Sequence, residues 1–133
     1  MKWSIGFVLC VLLSTVLALT IEESKEKFKK AHEKCNADVS TKLDPDELKT
    51  YKSTKVVGPS LKVHALCVSK TLGWQKPDGK IDKSSVKEKV STFYTDKDEA
   101  DKIFGECLVD HDDEKETAYN LFKCYKKYFA EKN

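Results

Sequence analysis

The stretch from Gly58 to Gly73, GPSLKVHALCVSKTLG, constrains this chain more than any other. It reads as one helix with Gly58 at the N-cap. Pro59 at the first helical position forgoes only an N–H that no helix could use. Gly73 can take positive φ just past the end and so close the last turn. Leu61, His64, Ala65, Val68 and Leu72 recur at helical spacing, and Val63 and Cys67 add a second apolar stripe beside them. A helix apolar over so much of its circumference belongs in the middle of a bundle. Its cysteine sits mid-helix, so any covalent partner has to come to it.

The first residues indicate the compartment. Lys2 supplies a short positive region, Ile5 to Leu13 is nearly all apolar, and Val16-Leu17-Ala18 has the small-residue form of a cleavage site, with Ala18-Leu19-Thr20 as the alternative. The apolar run is too short, and too soon followed by charge, to span a membrane stably. Residues 1–18 are therefore expected to be a signal peptide, with cleavage as late as 20. Residues 19–133 are expected to form a single secreted, extracellular domain of roughly 115 residues. The chain carries 24 basic and 22 acidic residues, and every basic one is lysine. Nucleic acid is disfavoured, because arginine forks are what read guanine and clamp phosphate. The interspersed charges read as a solvated surface.

Of five cysteines, Cys10 leaves with the leader and Cys35, Cys67, Cys107 and Cys124 remain. An even number in a small secreted chain implies two disulfides, and spacing alone permits three pairings. No pair has the close spacing of zinc ligands.

The rest reads as a succession of helices with little strand signal. Ile21, Phe28, Ala31, His32 and Cys35 line one face of a first helix. Asp44-Pro45-Asp46-Glu47 opens a second with a capping-box pattern and a short inner face of Leu48 and Tyr51. After the central helix, Trp74 to Gly79 is a turn, with Pro77 at the second position and Gly79 at the fourth. Asp82 or Ser84 caps the next helix, where Val86, Val90 and Phe93 share a face. Asp96 and Glu99 open a fifth with Ala100, Ile103, Phe104, Cys107 and Leu108 inside. Asp113 and Glu116 open a sixth with Ala118, Leu121, Phe122, Tyr125 and Phe129 inside. The expected fold is all-α, a compact bundle of about six helices.

Fragments that imitate active sites fail on inspection. His32-Glu33 begins a zinc-protease pattern, but Asn36 stands where the second histidine belongs. Asp78-Gly79-Lys80-Ile81-Asp82 resembles the middle of a calcium loop, yet Ser85 occupies the place of the bidentate glutamate. No nucleophile elbow, phosphate loop or dinucleotide fingerprint is present. His32 and His64 lie on or beside apolar faces, as hydrogen-bonded core histidines do, and His111 reads as an exposed loop residue. The expectation is a protein that is not an enzyme and needs no cofactor or metal.

The order and spacing of the four cysteines resemble the insect odorant-binding proteins, the pheromone and general odorant-binding family, over the whole mature chain. That family carries six cysteines, the second and third separated by three residues and the fifth and sixth by eight. Cys35, Cys67, Cys107 and Cys124 are similar in place to the first, third, fourth and sixth. Val63 then stands at the second, and Lys115 or Glu116 at the fifth. The family joins first to third, second to fifth and fourth to sixth, so the two absent cysteines are partners of one another. The resemblance thus implies Cys35–Cys67 and Cys107–Cys124, and the four-cysteine "minus-C" subgroup. Nine residues follow Cys124, so a long tail folding into the cavity is not expected.

What the resemblance implies is carriage of a small hydrophobic ligand (odorant, pheromone or another apolar semiochemical) in an internal cavity, with a chemosensory receptor as candidate partner. A monomer or weak dimer is expected. Expected wall residues are Tyr51, Val56, Leu61, Trp74, Val90, Phe93, Phe122 and Tyr128, each of which could equally be ordinary core. Two other classes stay open: a small helical signalling protein acting through a receptor, and a saposin-like lipid-interacting protein.

Overall fold

The computed structural model describes residues 22–130; the expected signal peptide and Ile21 lie outside the described residues. Among the described residues there are six α-helices: α1 (22–37), α2 (Pro45–Thr54), α3 (Pro59–Leu72), α4 (Lys83–Phe93), α5 (Lys97–Cys107) and α6 (Glu114–Tyr125). A five-residue π turn, Lys126–Ala130, extends α6. The β-pairing among them is one isolated bridge, Gln75 to Ile81. The fold is all-α, as expected.

The described part of α1 up to Lys30 belongs to one compact unit, and the chain from Ala31 onward to another. In the first, the pairs Glu23–Lys27 at 3.8 Å and Glu26–Lys30 at 3.9 Å lace an exposed helix surface at i,i+4 spacing.

In the second unit each helix starts where its sequence signal stands. Asp44, Asp82, Asp96 and Asp113 accept backbone N–H bonds from Asp46, Ser85, Asp98 with Glu99, and Lys115. Two acids leave the roles that the capping pattern gave them. Glu47 does not fold back on Asp44; its carboxylate accepts the backbone N–H of Ser60 at 2.8 Å and the Ser60 hydroxyl. It thereby caps α3, whose own N-cap Gly58 has no side chain to do so. Glu116 likewise turns to Lys62 on α3. An acid at the third helical position can serve its own helix or a neighbour, and the neighbour's orphan donor or cation wins here.

Two disulfides fix the frame. Cys35–Cys67 ties α1 to the middle of α3 with Cα atoms 6.0 Å apart, and Cys107–Cys124 ties the end of α5 to α6 at 5.9 Å. This is the pairing that the family resemblance implies, and each bridge contributes about 3 to 4 kcal/mol in the chain-entropy model. Leu61, His64, Ala65 and Val68 are buried on α3, which packs chiefly on α6. Val90, Tyr94, Ala100, Ile103, Cys107 and Cys124 form a connected core of α4, α5 and α6. Ser69 and Thr117 are also buried, though the apolar pattern did not mark them. The Thr117 hydroxyl accepts the backbone N–H of His111 at 2.8 Å, which brings the loop before α6 inward.

The segment after α3 is the expected turn. Gly79 donates to the Lys76 carbonyl at 2.9 Å, around Pro77-Asp78. The buried Gln75 side chain donates to the carbonyls of Gly79 at 2.8 Å and Glu114 at 3.1 Å, tying the turn to the start of α6. Gly79 has φ +92°, and a Cβ there would lie 2.7 Å from Cβ of Glu114; Gly73 has φ +78° but open space around it. Gly73→Ala should therefore cost about 1 kcal/mol. Gly79→Ala should cost about 3 kcal/mol, since strain and a clash with the Glu114 side chain at its Cβ coincide. Urea midpoints at unchanged slope would measure both, and equal losses would contradict this account.

Candidate functional site

A cluster of aromatic side chains is built where the turn after α3, the end of α4 and the end of α6 converge. Trp74 faces Tyr125 with ring centroids 5.6 Å apart, and Tyr125 stacks on Phe129 at 6.0 Å. Phe129 meets the edges of Phe93 and Tyr94, both at 5.6 Å, and Tyr94 meets Tyr128 at 6.2 Å. Edge-to-face and offset contacts of this kind add to simple burial. Val90 lies in the core beneath, with Val86 and Phe104 packed against it. The π turn widens the end of α6 and places Tyr128 and Phe129 side by side on this surface. It is held from outside: the Tyr94 hydroxyl donates to the Tyr128 carbonyl, the Tyr128 hydroxyl donates to Glu106, and Lys127 donates to Glu106 at 2.8 Å. The bonds from Lys127 and Tyr128 hold the Glu106 carboxyl below its ordinary range, and burial pushes the Tyr125 phenol up.

Four of the expected wall residues, Trp74, Val90, Phe93 and Tyr128, thus come together. Tyr94, Tyr125 and Phe129 complete the surface, though the wall reading did not name them. Tyr94 follows the periodic part of α4 as its C-cap, so helical spacing carries no signal for it. Leu61 is buried on α3, and Phe122 is half-buried on α6. Tyr51 lies elsewhere, with Lys55 and Lys126 over its ring at 5.4 and 5.9 Å. Val56 is 61% exposed in the turn between α2 and α3.

A second polar arrangement brackets the Cys35–Cys67 bridge. The buried His64 places Nδ1 2.9 Å from the Thr41 carbonyl and Nε2 2.8 Å from Nδ1 of His32. His32 Nε2 lies 3.2 Å from Nδ2 of Asn36, whose Oδ1 accepts the Leu43 N–H at 3.1 Å. The Thr41 carbonyl can only accept, so His64 Nδ1 donates and, in the neutral ring, Nε2 accepts from His32. His32 Nε2 then accepts from Asn36. Every bond has one consistent direction while both rings are neutral, and an added proton sets donor against donor.

A groove of about 280 Å³ opens between the N-terminal ends of α3 and α6, lined by Val57, Gly58, Pro59, Lys62, Val63, Asp113, Lys115 and Glu116. The Lys62–Glu116 ion pair crosses it. Among the described residues no three His, Cys, Asp or Glu side chains are close enough to hold a metal ion, and no helix is long and apolar enough to cross a membrane.

Residues 18–128 match the PBP/GOBP family. The chain is 30% identical over 117 residues to the B1 protein of Tenebrio molitor, covering 88% of each. It is 31% identical over 117 residues to the B2 protein of the same organism, covering 88% of this chain and 90% of that one. Among solved structures, the fatty acid binding protein OBP56a from the oral disk of the blowfly Phormia regina is similar in fold, with a TM-score of 0.59. It is 24% identical, over 83% of this chain and 95% of that chain.

The histidine relay generates a pH prediction. Burial, together with the neighbouring His32, lowers the pKa of His64, with the bond to Thr41 opposing. A histidine harder to protonate folded than unfolded contributes stability above its unfolded value, about 6.5, and loses it as the pH falls through the lower folded value. Thermal stability should therefore decline from about pH 7 to about pH 5, before most carboxylates titrate, and His64→Gln should flatten that decline. An unchanged slope in the variant would assign the decline to other groups.

Proposed function

Since the chain belongs to the PBP/GOBP family, the pheromone and general odorant-binding proteins, we propose that it is a secreted carrier, not an enzyme. It takes a small hydrophobic ligand through aqueous fluid for delivery, with a chemosensory receptor as the expected recipient. The observation that carries this reading is the continuous aromatic surface from Trp74 through Tyr125 and Phe129 to Phe93 and Tyr128, on helices fixed by two bridges. The blowfly protein of similar fold is described as binding fatty acid, which favours an apolar chain as ligand. Trp74, Val90, Phe93 and Tyr128 are the proposed ligand-facing set, and Leu61 on α3 and Phe122 on α6 are the further wall residues proposed.

The chemistry needs no reacting group. Each methylene taken out of water contributes about 0.8 kcal/mol, so affinity should rise roughly fourfold per carbon until the site is full. After removal of the leader Trp74 is the remaining tryptophan of the two in the sequence, so its emission reports the site. In protein collected from the medium of secreting cells, the N-terminus should fall between Leu19 and Ile21. An aliphatic ligand should displace a hydrophobic fluorophore and change Trp74 emission, and Phe93→Ala should weaken binding about tenfold or more. No saturable binding across a broad apolar panel would sink the carrier reading.

We further place the chain in the four-cysteine "minus-C" subgroup, with Val63 and Lys115 or Glu116 at the positions of the absent bridge. These residues line the same groove, which supports the register. Val63→Cys combined with Lys115→Cys, or separately with Glu116→Cys, should oxidise in one of the two pairs, because that pair's Cα atoms should lie within about 7 Å. The oxidised variant should melt higher and take large ligands less well. Failure of both pairs would refute the register; oxidation with an unchanged ligand range would show that the absent bridge does not widen the range of ligands taken.

A further inference from the structure

The aromatic cluster has a chemistry that packing alone does not require. The expected leader takes Met1, Trp3 and Cys10 with it, and the other four cysteines are bridged. The mature chain would then hold no methionine and no free thiol, the side chains most open to ordinary oxidative damage. Its most easily oxidised groups are the indole of Trp74 and the phenols of five tyrosines. Tyr94, Tyr125 and Tyr128 stand in one cluster with Trp74.

The rings form a series. From Trp74 the centroids step 5.6 Å to Tyr125, 6.0 Å to Phe129, 5.6 Å to Tyr94 and 6.2 Å to Tyr128. Rings at such spacings are in contact, and an electron crosses contacts of this kind readily. Phe129 is not itself oxidised; it bridges Tyr125 and Tyr94. The two ends of the series differ. Trp74 stands on the proposed ligand surface. At the other end the Tyr128 hydroxyl donates to the Glu106 carboxylate, which the bonds from Lys127 and Tyr128 keep ionised. An oxidised phenol is a strong acid and loses its proton as its electron leaves. A carboxylate already hydrogen-bonded to it accepts that proton in place. Tyr128 is half-buried beside the exposed Lys127, within reach of a dissolved reductant.

We propose that the cluster is a radical-transfer path, carrying an oxidising equivalent from Trp74 to Tyr128 with Glu106 as proton acceptor. The oxidant is a peroxyl radical formed by oxygen on an unsaturated apolar ligand. That role rests on the carrier reading, whereas the path itself does not. The peroxyl radical takes an electron and the indole N–H proton from Trp74 and becomes a hydroperoxide. Tyr128 supplies an electron through the ring series to the indolyl radical, which regains a proton from water. The phenolic proton of Tyr128 passes to Glu106 and from there to solvent. A water-soluble reductant of the ascorbate or thiol class then returns one electron and one proton to the phenoxyl radical.

The test oxidises protein from secreting cells, without ligand, by azide radical, a one-electron oxidant that prefers indole, and follows the absorbance of both radicals. Indolyl absorbance should fall as phenoxyl absorbance rises, at a rate independent of protein concentration. Tyr128→Phe should lengthen the life of the indolyl radical at least about tenfold, and Tyr51→Phe should behave as the parent does. Glu106→Gln keeps every ring and should also slow the step. The parent should slow in deuterium oxide, which a merely structural role of Glu106 would not produce. Absence of a concentration-independent step, equal rates in Tyr128→Phe and Tyr51→Phe, or a parental rate in Glu106→Gln would overturn the path. With linoleic acid bound at matched occupancy and ascorbate present, the acid should be oxidised more slowly on the parent than on Glu106→Gln. Equal oxidation would overturn the peroxyl role. Failure of the parent to bind linoleic acid would count against the carrier reading and leave the azide result to stand by itself.

Discussion

The bridge from Cys35 to the middle of α3 is the constraint on which the second unit depends. Cys35 is fully buried, and one turn before each cysteine of the pair stands a histidine of the relay, His32 and His64. Covalent and polar links are therefore stacked on one face of α3, leaving another face for α6. A mid-helix bridge fixes axial position and rotation together. Leu61, Ala65 and Val68 can bury only in the register that it allows. The relay adds specificity: buried polar groups tolerate one arrangement of donors and acceptors, and leaving one unmet costs about 1 to 3 kcal/mol.

Local signals in the sequence were legible because they are local. Asp44, Asp82, Asp96 and Asp113 cap within three residues, Gly73 and Gly79 take the positive φ that their positions require, and the stripes of α3 and α5 are buried as their spacing implies. Spacing left three cysteine pairings open, and only the family resemblance chose among them. The failures are long-range. Glu47 and Glu116 fit a reciprocal cap, but their partners, Ser60 and Lys62, lie on another helix. Ser69 and Thr117 are small and polar, so periodicity passes over them, although small side chains are what close helix packing admits.

The candidate site divides along the same line. Trp74, Val90, Phe93 and Tyr128 come from three segments, the turn after α3, α4 and the π turn, and still come together around Tyr125, Phe129 and Tyr94. Tyr51 lies on the inner side of α2, as its spacing implies, yet α2 has no buried residue. α2 packs on α3, and Tyr51 faces Lys55 and Lys126 and not the core. Amphipathic spacing says which face of a helix turns inward, not how deep the layer is that it meets. For the same reason Val56, between two helix ends, was legible only as apolar.

The groove between α3 and α6 shows how an ion pair can stand where covalent chemistry could. Lys62 and Glu116 are both partly exposed, so their attraction contributes about 1 kcal/mol or less and is screened by salt. A disulfide closing the same gap would contribute about 3 kcal/mol or more. The first residue of α6 is held as well: Lys70 near the end of α3 meets Glu114 at 3.2 Å in an equally partly exposed pair, and the buried Gln75 in the turn after α3 bonds to the Glu114 carbonyl. The Cys107–Cys124 bridge holds the far end of α6 to α5. An ion pair can open and reform without a redox partner, which a disulfide at the same place could not do.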